Sequence, residues 1–187
     1  VRRRGCGAAF LPFNADSSPP PPPQRDTART ARYIAHFSDW GHLATISSQD
    51  KVGIKGLPFG NICPVSDGPR DHSTGVPYFY VTPMDDTVSG LKTNPHASLT
   101  LSEPHIQLPS LCARLTLTGK MVEVDPEEIT GLKCVLLLFY RHPAMSKWPV
   151  AHTWFFMKME LIRVWLQDWV AGTSVIALED YFKATPF

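Results

Sequence analysis

Six short runs rich in β-branched, aromatic and other apolar residues constrain the fold of this chain more than any other feature. Turn signals such as Asp67-Gly68-Pro69 and Asn94-Pro95 separate the runs, so most of them are long enough for only one short strand. Short strands with few helices indicate a barrel, and we predict a mainly β fold with flanking helices. The predicted strands are 43–47, 62–65, 76–82, 97–101, 111–124 and 153–169.

Three segments have the signals of helices instead. Between Ala28 and Phe37, apolar residues recur at intervals of three and four, behind Asp26 as the N-cap. A second helix is predicted over Asp85–Thr93. A third begins at Pro126, because Asp125 is a good cap and proline suits the first helical position.

The predicted strand over 111–124 contains one irregular position. Leu115, Leu117 and Met121 alternate with polar residues, as expected of a strand with one buried face. Gly119 interrupts this pattern and predicts a bulge or sharp bend. Bends of this kind let a small sheet close on itself.

The composition fits one globular domain and excludes two classes of function. The chain has 187 residues and 43% hydrophobic content, which is enough for one core. Eighteen Lys and Arg against seventeen Asp and Glu leave a net charge of +1, so we predict no nucleic-acid binding. The longest apolar run, Cys134–Tyr140, is far shorter than the ~20 residues that span a bilayer, so no membrane span is predicted.

The first 25 residues differ in composition from the rest of the chain. Pro19–Pro23 are consecutive prolines without backbone N–H donors, so they cannot form the interior of a helix or sheet. We predict a disordered Pro-rich arm over 1–25 and one domain over 26–187. A linker is the favoured interpretation of the arm, and a docking site for a proline-binding module is the alternative.

No common catalytic or metal-binding motif occurs in the sequence. HExxH, P-loop, GxGxxG and GxSxG are absent, and no histidine is spaced from a second ligand as a metal site requires. The cysteines form no CxxC, so neither zinc nor a redox dithiol is expected, while one disulfide, two or none all stay open. The cysteines are Cys6, Cys63, Cys112 and Cys134.

Four tryptophans in the last third of the chain have two interpretations. Core and interface packing is the favoured one, because large aromatic rings usually serve there. An aromatic cage or stacking platform is the alternative. The residues are Trp148, Trp154, Trp165 and Trp169.

A series of short motifs follows in a fixed order along residues 26–187. The motifs lie at 38–41, 43–47, 56–61, 65–69, 77–80, 94–99, 141–149, 154–156 and 179–182. Each is weak alone, but their ordered sum resembles the CREG family. Residues 156–159 and 165–167 are most similar to the second vertebrate paralogue of that family.

The resemblance implies a fold and a biology. CREG proteins have the split β-barrel of flavin-dependent pyridoxamine 5'-phosphate oxidases, form homodimers and are not known to use the flavin. They are secreted or endolysosomal glycoproteins with roles in growth control, differentiation and lysosomal function, and an extracellular or lysosomal protein partner or receptor is implied. This chain departs from the family in one respect, because Asn14, Asn61 and Asn94 all lack the N-x-S/T pattern that N-glycosylation requires.

The resemblance also locates a degenerate flavin site. In flavin-binding relatives, the strand after a Gly-x-Pro turn carries an arginine for the FMN phosphate, and Asn61 occupies that position here. A second basic pair in those relatives corresponds to Asp86 and Thr87. Since these cations are replaced by neutral or acidic groups, we predict that no FMN is bound and that no cofactor is present. Lys92 is the nearest possible substitute.

A loop near residue 145 is predicted to pack over the former cofactor cleft. Trp148 is its expected anchor, and Arg141 is expected to bind backbone carbonyls or a carboxylate. The alternative is an ordinary helix C-terminus that Arg141 complements electrostatically and Pro143 ends. The predicted loop residues are Arg141, His142, Pro143, Met145, Trp148 and Pro149.

Two classes of function therefore stay open at this point. The favoured one is a non-enzymatic, dimeric protein that binds other proteins outside the cytosol. The other is an oxidoreductase that binds FMN at the dimer cleft. A transcription-associated role has little support. The only dense basic cluster, Arg2, Arg3 and Arg4, is too short and too isolated to be a nuclear or DNA-binding signal.

Overall fold

A single antiparallel sheet organises the computed structural model of this chain. The structure describes residues 26–50, 52–104, 113–125, 138–139, 141–148, 152–168 and 172–187. The strands are β1 (Trp40–Ile46), β2 (Pro58–Pro64), β3 (Tyr78–Val81), β4 (His96–Ser102), β5 (Arg114–Glu123), β6 (Phe155–Asp168) and β7 (Gly172–Ile176). They pair in the order β2-β1-β4-β5-β6-β3, and β7 also pairs with β6. The predicted mainly β class is confirmed.

Three α-helices flank the sheet in the described parts of the chain: α1 (Thr27–Phe37), α2 (Asp86–Thr93) and α3 (Leu178–Lys183). Asp26 caps α1, as the sequence predicted, and accepts from the Arg29 N–H. The predicted helix over Asp85–Thr93 is also present, with Asp85 as its cap. A short 3-10 helix covers Pro143–Lys147. The predicted arm over 1–25 and the helix from Pro126 lie outside the described residues.

The bulge predicted at Gly119 is confirmed. The pairing of β5 with β6 shifts between Thr118 and Gly119, where the partners change from Arg163 to Leu161. A Cβ atom at Gly119 would lie 2.7 Å from Met159 Cγ and closer still to a backbone carbonyl oxygen of β6. Only glycine therefore fits this close approach of two strands.

The inner face of the sheet and α1 enclose the hydrophobic core. Leu99, Leu115 and Leu117 alternate with polar residues along β4 and β5 and are fully buried. Ile34 of α1 and Tyr181 of α3 join the same core. Among the described residues, no helix is long and apolar enough to cross a membrane.

The observed strands differ from the predicted ones mainly at their ends. Strand β2 begins at Pro58, before the predicted start at Ile62, because Pro58 pairs with Ile46 at the sheet edge, where a missing N–H is tolerated. Strand β7 and helix α3 were not predicted. Only Ile176 of β7 is buried, so the hydrophobic alternation that would reveal this strand is absent.

Candidate functional site

The first turn of α2 forms one corner of the candidate site. The Asp85 carboxylate accepts a 2.8 Å hydrogen bond from the Thr87 N–H, which fixes the start of the helix. The Asp85 N–H donates to the Thr82 carbonyl over 3.0 Å, so a tight turn joins β3 to α2. This turn holds the Thr87 side chain, which is 2% exposed, against the sheet.

Asn61 and Thr87 meet at this corner. The Asn61 side-chain amide donates to Thr87 Oγ1 over 3.1 Å. The neighbouring Asp86 is exposed, and its carboxylate accepts a 2.7 Å hydrogen bond from the side-chain amide of Gln49. The three positions identified from the sequence are therefore close together, and two of their side chains are neutral while the third is acidic.

The Arg141 side chain lies in a different part of the molecule, next to the residue that precedes β1. Its side chain is 1% exposed, and its Nε donates to Asp39 Oδ1 over 2.9 Å. One terminal nitrogen donates to the His36 carbonyl, and the other is 3.8 Å from Asp67 Oδ1. These contacts connect the segment that begins at residue 141 to α1 and to the loop after β2. A buried guanidinium has to be paired and hydrogen-bonded, and these contacts meet that requirement.

Asp67 is the centre of this buried network. Its Oδ1 lies 2.7 Å from His36 Nδ1, and its Oδ2 accepts from the Ser73 hydroxyl and, over 3.2 Å, from the Gly75 N–H. The second ring nitrogen of His36 lies 3.1 Å from the Arg70 carbonyl. Both ring nitrogens of His36 therefore have a hydrogen-bond partner, and the residue is fully buried. We conclude that this histidine stabilises the fold.

A second arginine extends the network to the C-terminus. The two terminal nitrogens of Arg32 donate to the Tyr181 carbonyl over 3.2 Å and to the Ser73 carbonyl over 2.9 Å. The Tyr181 hydroxyl donates to the Gly75 carbonyl over 2.9 Å. Burial raises the pKa of that hydroxyl far above its usual range, so it stays protonated.

His142 is buried next to Arg141 but has an incomplete set of partners. Its ring lies edge-on to Trp40 with 5.0 Å between centroids, and its Nε2 has no hydrogen-bond partner among the residues that the structure describes. Burial lowers the pKa of this imidazole, and the Asp39 carboxylate partly opposes that shift. The neutral form is therefore favoured in the folded protein.

The other end of the loop enters an aromatic cluster. The Trp148 ring lies 4.6 Å from Trp154 and 6.3 Å from Tyr80, between centroids. Met145 is 3% exposed and belongs to a second hydrophobic cluster that includes Phe156. Pro143 begins the 3-10 helix, and Pro149 lies outside the described residues.

Two groups of predicted residues are thus separate in the structure. Among the described residues, no hydrogen bond or ring contact joins the segment 141–148 directly to Asn61 or Thr87. The connection is indirect, because the Thr82 hydroxyl in the turn before α2 donates to the His152 carbonyl over 2.7 Å. His152 in turn stacks on Trp154.

Sequence reasoning did not identify Tyr80, Arg32 or Asp67 as members of these clusters. Tyr80 lies in a short strand, and its role comes from rings that are distant along the chain. Arg32 and Asp67 are charged residues that are almost fully buried. The sequence gives no local signal for such burial, since charged residues are usually exposed.

A family comparison now identifies the chain. The sequence model described as CREG, beta-barrel, matches residues 22–183. The chain belongs to the CREG family. It is 49% identical to human protein CREG2 over 175 residues, covering 89% of this chain and 59% of CREG2.

Human CREG1 is a more distant relative. The identity is 39% over 180 residues, covering 91% of this chain and 80% of CREG1. The prediction that the chain is more similar to the second vertebrate paralogue is therefore confirmed. The chain spans about 59% of the length of human CREG2, so activities of the whole relative do not transfer to it automatically.

Solved structures confirm the predicted split β-barrel of the pyridoxamine 5'-phosphate oxidase type. A heme binding protein from Mycobacterium smegmatis superposes with a TM-score of 0.70 at 21% identity, over 88% of this chain and 62% of that one. ChuZ from Campylobacter jejuni gives a TM-score of 0.59 at 12% identity, over 80% of this chain and 60% of that one. At such identities the likeness shows the fold alone.

Proposed function

We propose that this CREG protein is not an enzyme and acts by binding protein partners in growth control, differentiation or lysosomal function. Its proposed location is secreted or endolysosomal. The hydrogen bond between Asn61 and Thr87 is the observation that carries the proposal. It joins two neutral side chains at the positions where flavin-binding relatives hold the FMN phosphate with cations.

Charge decides whether the phosphate of FMN fits this corner. A hydrogen bond from a cation to a phosphate contributes about 1.5–3 kcal/mol, so losing two weakens binding by roughly two to four orders of magnitude. The Asp86 carboxylate would repel the phosphate, because its negative charge is next to Thr87. The neutral Gln49 amide that donates to Asp86 does not cancel that charge. The residues present therefore do not fit FMN.

Aromatic packing near the same turn supports the loss of the cofactor cleft. Trp154 stacks on Tyr80, and the adjacent His152 carbonyl accepts from Thr82, three residues before the α2 cap. We infer that the loop from Arg141 to Pro149 closes the former cleft, with Trp148 as its anchor. The buried contacts of Arg141 with Asp39 and Asp67 hold the first residue of this loop in place.

Heme is a second cofactor to consider, because one structural neighbour is named a heme binding protein. The unpartnered Nε2 of His142 is the natural candidate for an iron ligand. Its surroundings do not fit, since that nitrogen is enclosed by protein atoms and the ring packs against Trp40. Iron could bind only after Trp40 and its neighbours were displaced.

A homodimer is part of this proposal. A row of side chains crosses the outer face of the sheet through the register Ile62–His42–Thr100–Thr116–Trp165–Val175. Ile62 is 59% exposed, Trp165 42% and Val175 73%, which is much apolar surface for a monomer to leave open. Pairing of two such faces would bury it.

Two measurements test the proposal. The absorption spectrum of the purified protein is expected to lack flavin bands, and a yellow preparation would favour the oxidoreductase instead. Light scattering is expected to give about twice the 20.8 kDa of one chain. A monomer that persists at micromolar concentration would contradict the dimer.

A further inference from the structure

Four rings form a half-buried patch at the edge of the sheet, which we call the aromatic surface: Tyr80, Trp148, His152 and Trp154. Tyr80 and Trp154 stack with 5.2 Å between centroids and 21° between planes. Trp154 also stacks on His152 at 6.0 Å. Because β3 is the last strand on its side of the sheet, this patch lies at an edge.

The aromatic surface rests on a rigid base. Phe156 and Phe139 pack beneath Tyr80 with centroid distances of 4.7 Å and 5.2 Å. Phe156 is 8% exposed, so the base is core while the rings above it stay partly open to solvent. Rings held in this way lose little conformational entropy when a ligand binds.

Two donors accompany the rings. The Tyr80 hydroxyl and the Trp148 indole N–H form no hydrogen bond with any described residue. Stacked tyrosine and tryptophan rings with free N–H and O–H donors match one ligand chemistry well. Grooves of this composition bind polyproline II segments, whose prolines pack on the rings while their unpaired carbonyls accept hydrogen bonds.

The chain carries such a segment itself in Pro19–Pro23. We propose that the aromatic surface binds a polyproline II segment, and that its occupant is the run Pro19–Pro23 of a second copy of this chain. This inference does not rest on the loss of the flavin, since it uses only the partly exposed rings, their donors and the proline run.

A distance estimate favours a second copy over the same chain. Asp26 borders the same pocket as Val175 and Ile176, and Val175 pairs with Trp165 on β6. Tyr80 pairs with Phe156, which also lies on β6. Phe156 is nine residues before Trp165, or about 30 Å away along that strand. Pro19 is seven residues before Asp26, so it lies ~22 Å from Asp26 in polyproline II and at most ~25 Å away in a fully extended chain. The run in the same chain is thus too short to cover the rings.

Mixing two full-length chains tests the proposal directly. One chain is labelled with ¹⁵N and has serine at positions 19–23, and the other is unlabelled and wild type. As unlabelled chain is added, the indole N–H signals of Trp148 and Trp154 are expected to shift and saturate. Trp40 is the internal control, because it is 55% exposed elsewhere on the sheet.

Variants locate the binding surface. In the labelled chain, Trp154→Ala is expected to weaken binding about tenfold or more, as at a central aromatic contact, and Phe182→Ala, at a 44% exposed ring on α3, to leave it unchanged. Tyr80→Phe keeps the ring and removes only the hydroxyl, so it tests the donor without disturbing the packing. A loss of several-fold in affinity is expected from Tyr80→Phe.

Three results would overturn the proposal. The first is that the signals of Trp148 and Trp154 do not move, or move no more than that of Trp40. The second is that a labelled wild-type chain shows the bound signals at every concentration, which would mean that its own arm occupies the surface. The third is that maltotriose shifts these signals while the proline run does not, which would assign the surface to sugars.

Discussion

Arg141 and Asp39 form an ion pair of 2.9 Å in which the arginine side chain is 1% exposed and the aspartate side chain is 35% exposed. The same guanidinium also lies 3.8 Å from Asp67, whose side chain is 1% exposed. Two of these three charged groups, Arg141 and Asp67, are therefore buried, and removal of the cation leaves the buried Asp67 carboxylate without its arginine partner.

Arg141→Met is expected to lower the free energy of unfolding by about 3–5 kcal/mol, because it removes one partner of a buried ionic network. Urea denaturation followed by circular dichroism measures the change. Arg70→Met is the matched control, since Arg70 lies 3.9 Å from the same Asp39 with its side chain 38% exposed. The control should lose at most about 1 kcal/mol, and equal losses in both variants would contradict this account.

His142 is expected to make the fold sensitive to acid. Its pKa in the folded protein is lowered from the ordinary 6.5, so the unfolded chain binds a proton first as the pH falls. Its contribution to stability is therefore complete above about pH 6.5 and is lost as the pH falls from there towards its folded pKa. The slope cannot exceed about 1.4 kcal/mol per pH unit for this one group.

The comparison of wild type with His142→Gln tests this effect. The difference in unfolding free energy between pH 7.5 and pH 5.0 is expected to be smaller in the variant, because glutamine does not titrate. His72→Gln is the control, since His72 is exposed in the loop after β2, away from the proposed dimer face. If His72→Gln flattened the profile as much as His142→Gln, His142 would not be the responsible group.

Gly119→Ala is expected to destabilise the protein by about 1–3 kcal/mol, because the new Cβ would overlap Met159 and the backbone of β6 at the bulge. Gly60→Ala is the control within another strand, since a Cβ there has no atom within 4 Å. Thermal unfolding of both variants gives the comparison. A Gly119→Ala variant as stable as Gly60→Ala would mean that β5 and β6 do not approach so closely.

Much of the fold could be predicted from the sequence because its strands have one buried face. The alternation of Leu115 and Leu117 with threonines reveals β5, and Gly119 reveals its bulge. Strand β7 was missed because four of its five residues are not buried, so its pattern carries no core signal. Its first residue, Gly172, pairs with Asp168 at the end of β6 and has a φ of +75°, a conformation suited to glycine.

The candidate site was predictable only in part. Asn61 and Thr87 were identified from their positions relative to known motifs. Their hydrogen bond forms only because β2 and α2 pack side by side, and no local sequence pattern predicts that contact. Arg141 was predicted to bind backbone carbonyls or a carboxylate, and it does, but the wider network that includes Arg32 and Asp67 was missed for a related reason. Its members are far apart along the chain, and their burial becomes favourable only when all are present together.

The central claim is that the flavin site is lost in both its charge and its shape. Titration of FMN into wild type and into the double variant Asn61→Arg with Asp86→Arg tests both parts, with flavin fluorescence as the readout. Neither protein is expected to bind at micromolar concentration, because rebuilding the phosphate charges does not reopen the cleft that, in our proposal, the loop anchored by Trp148 closes. Micromolar binding by the wild type would contradict the account, and binding by the double variant alone would show that only the phosphate charge had been lost.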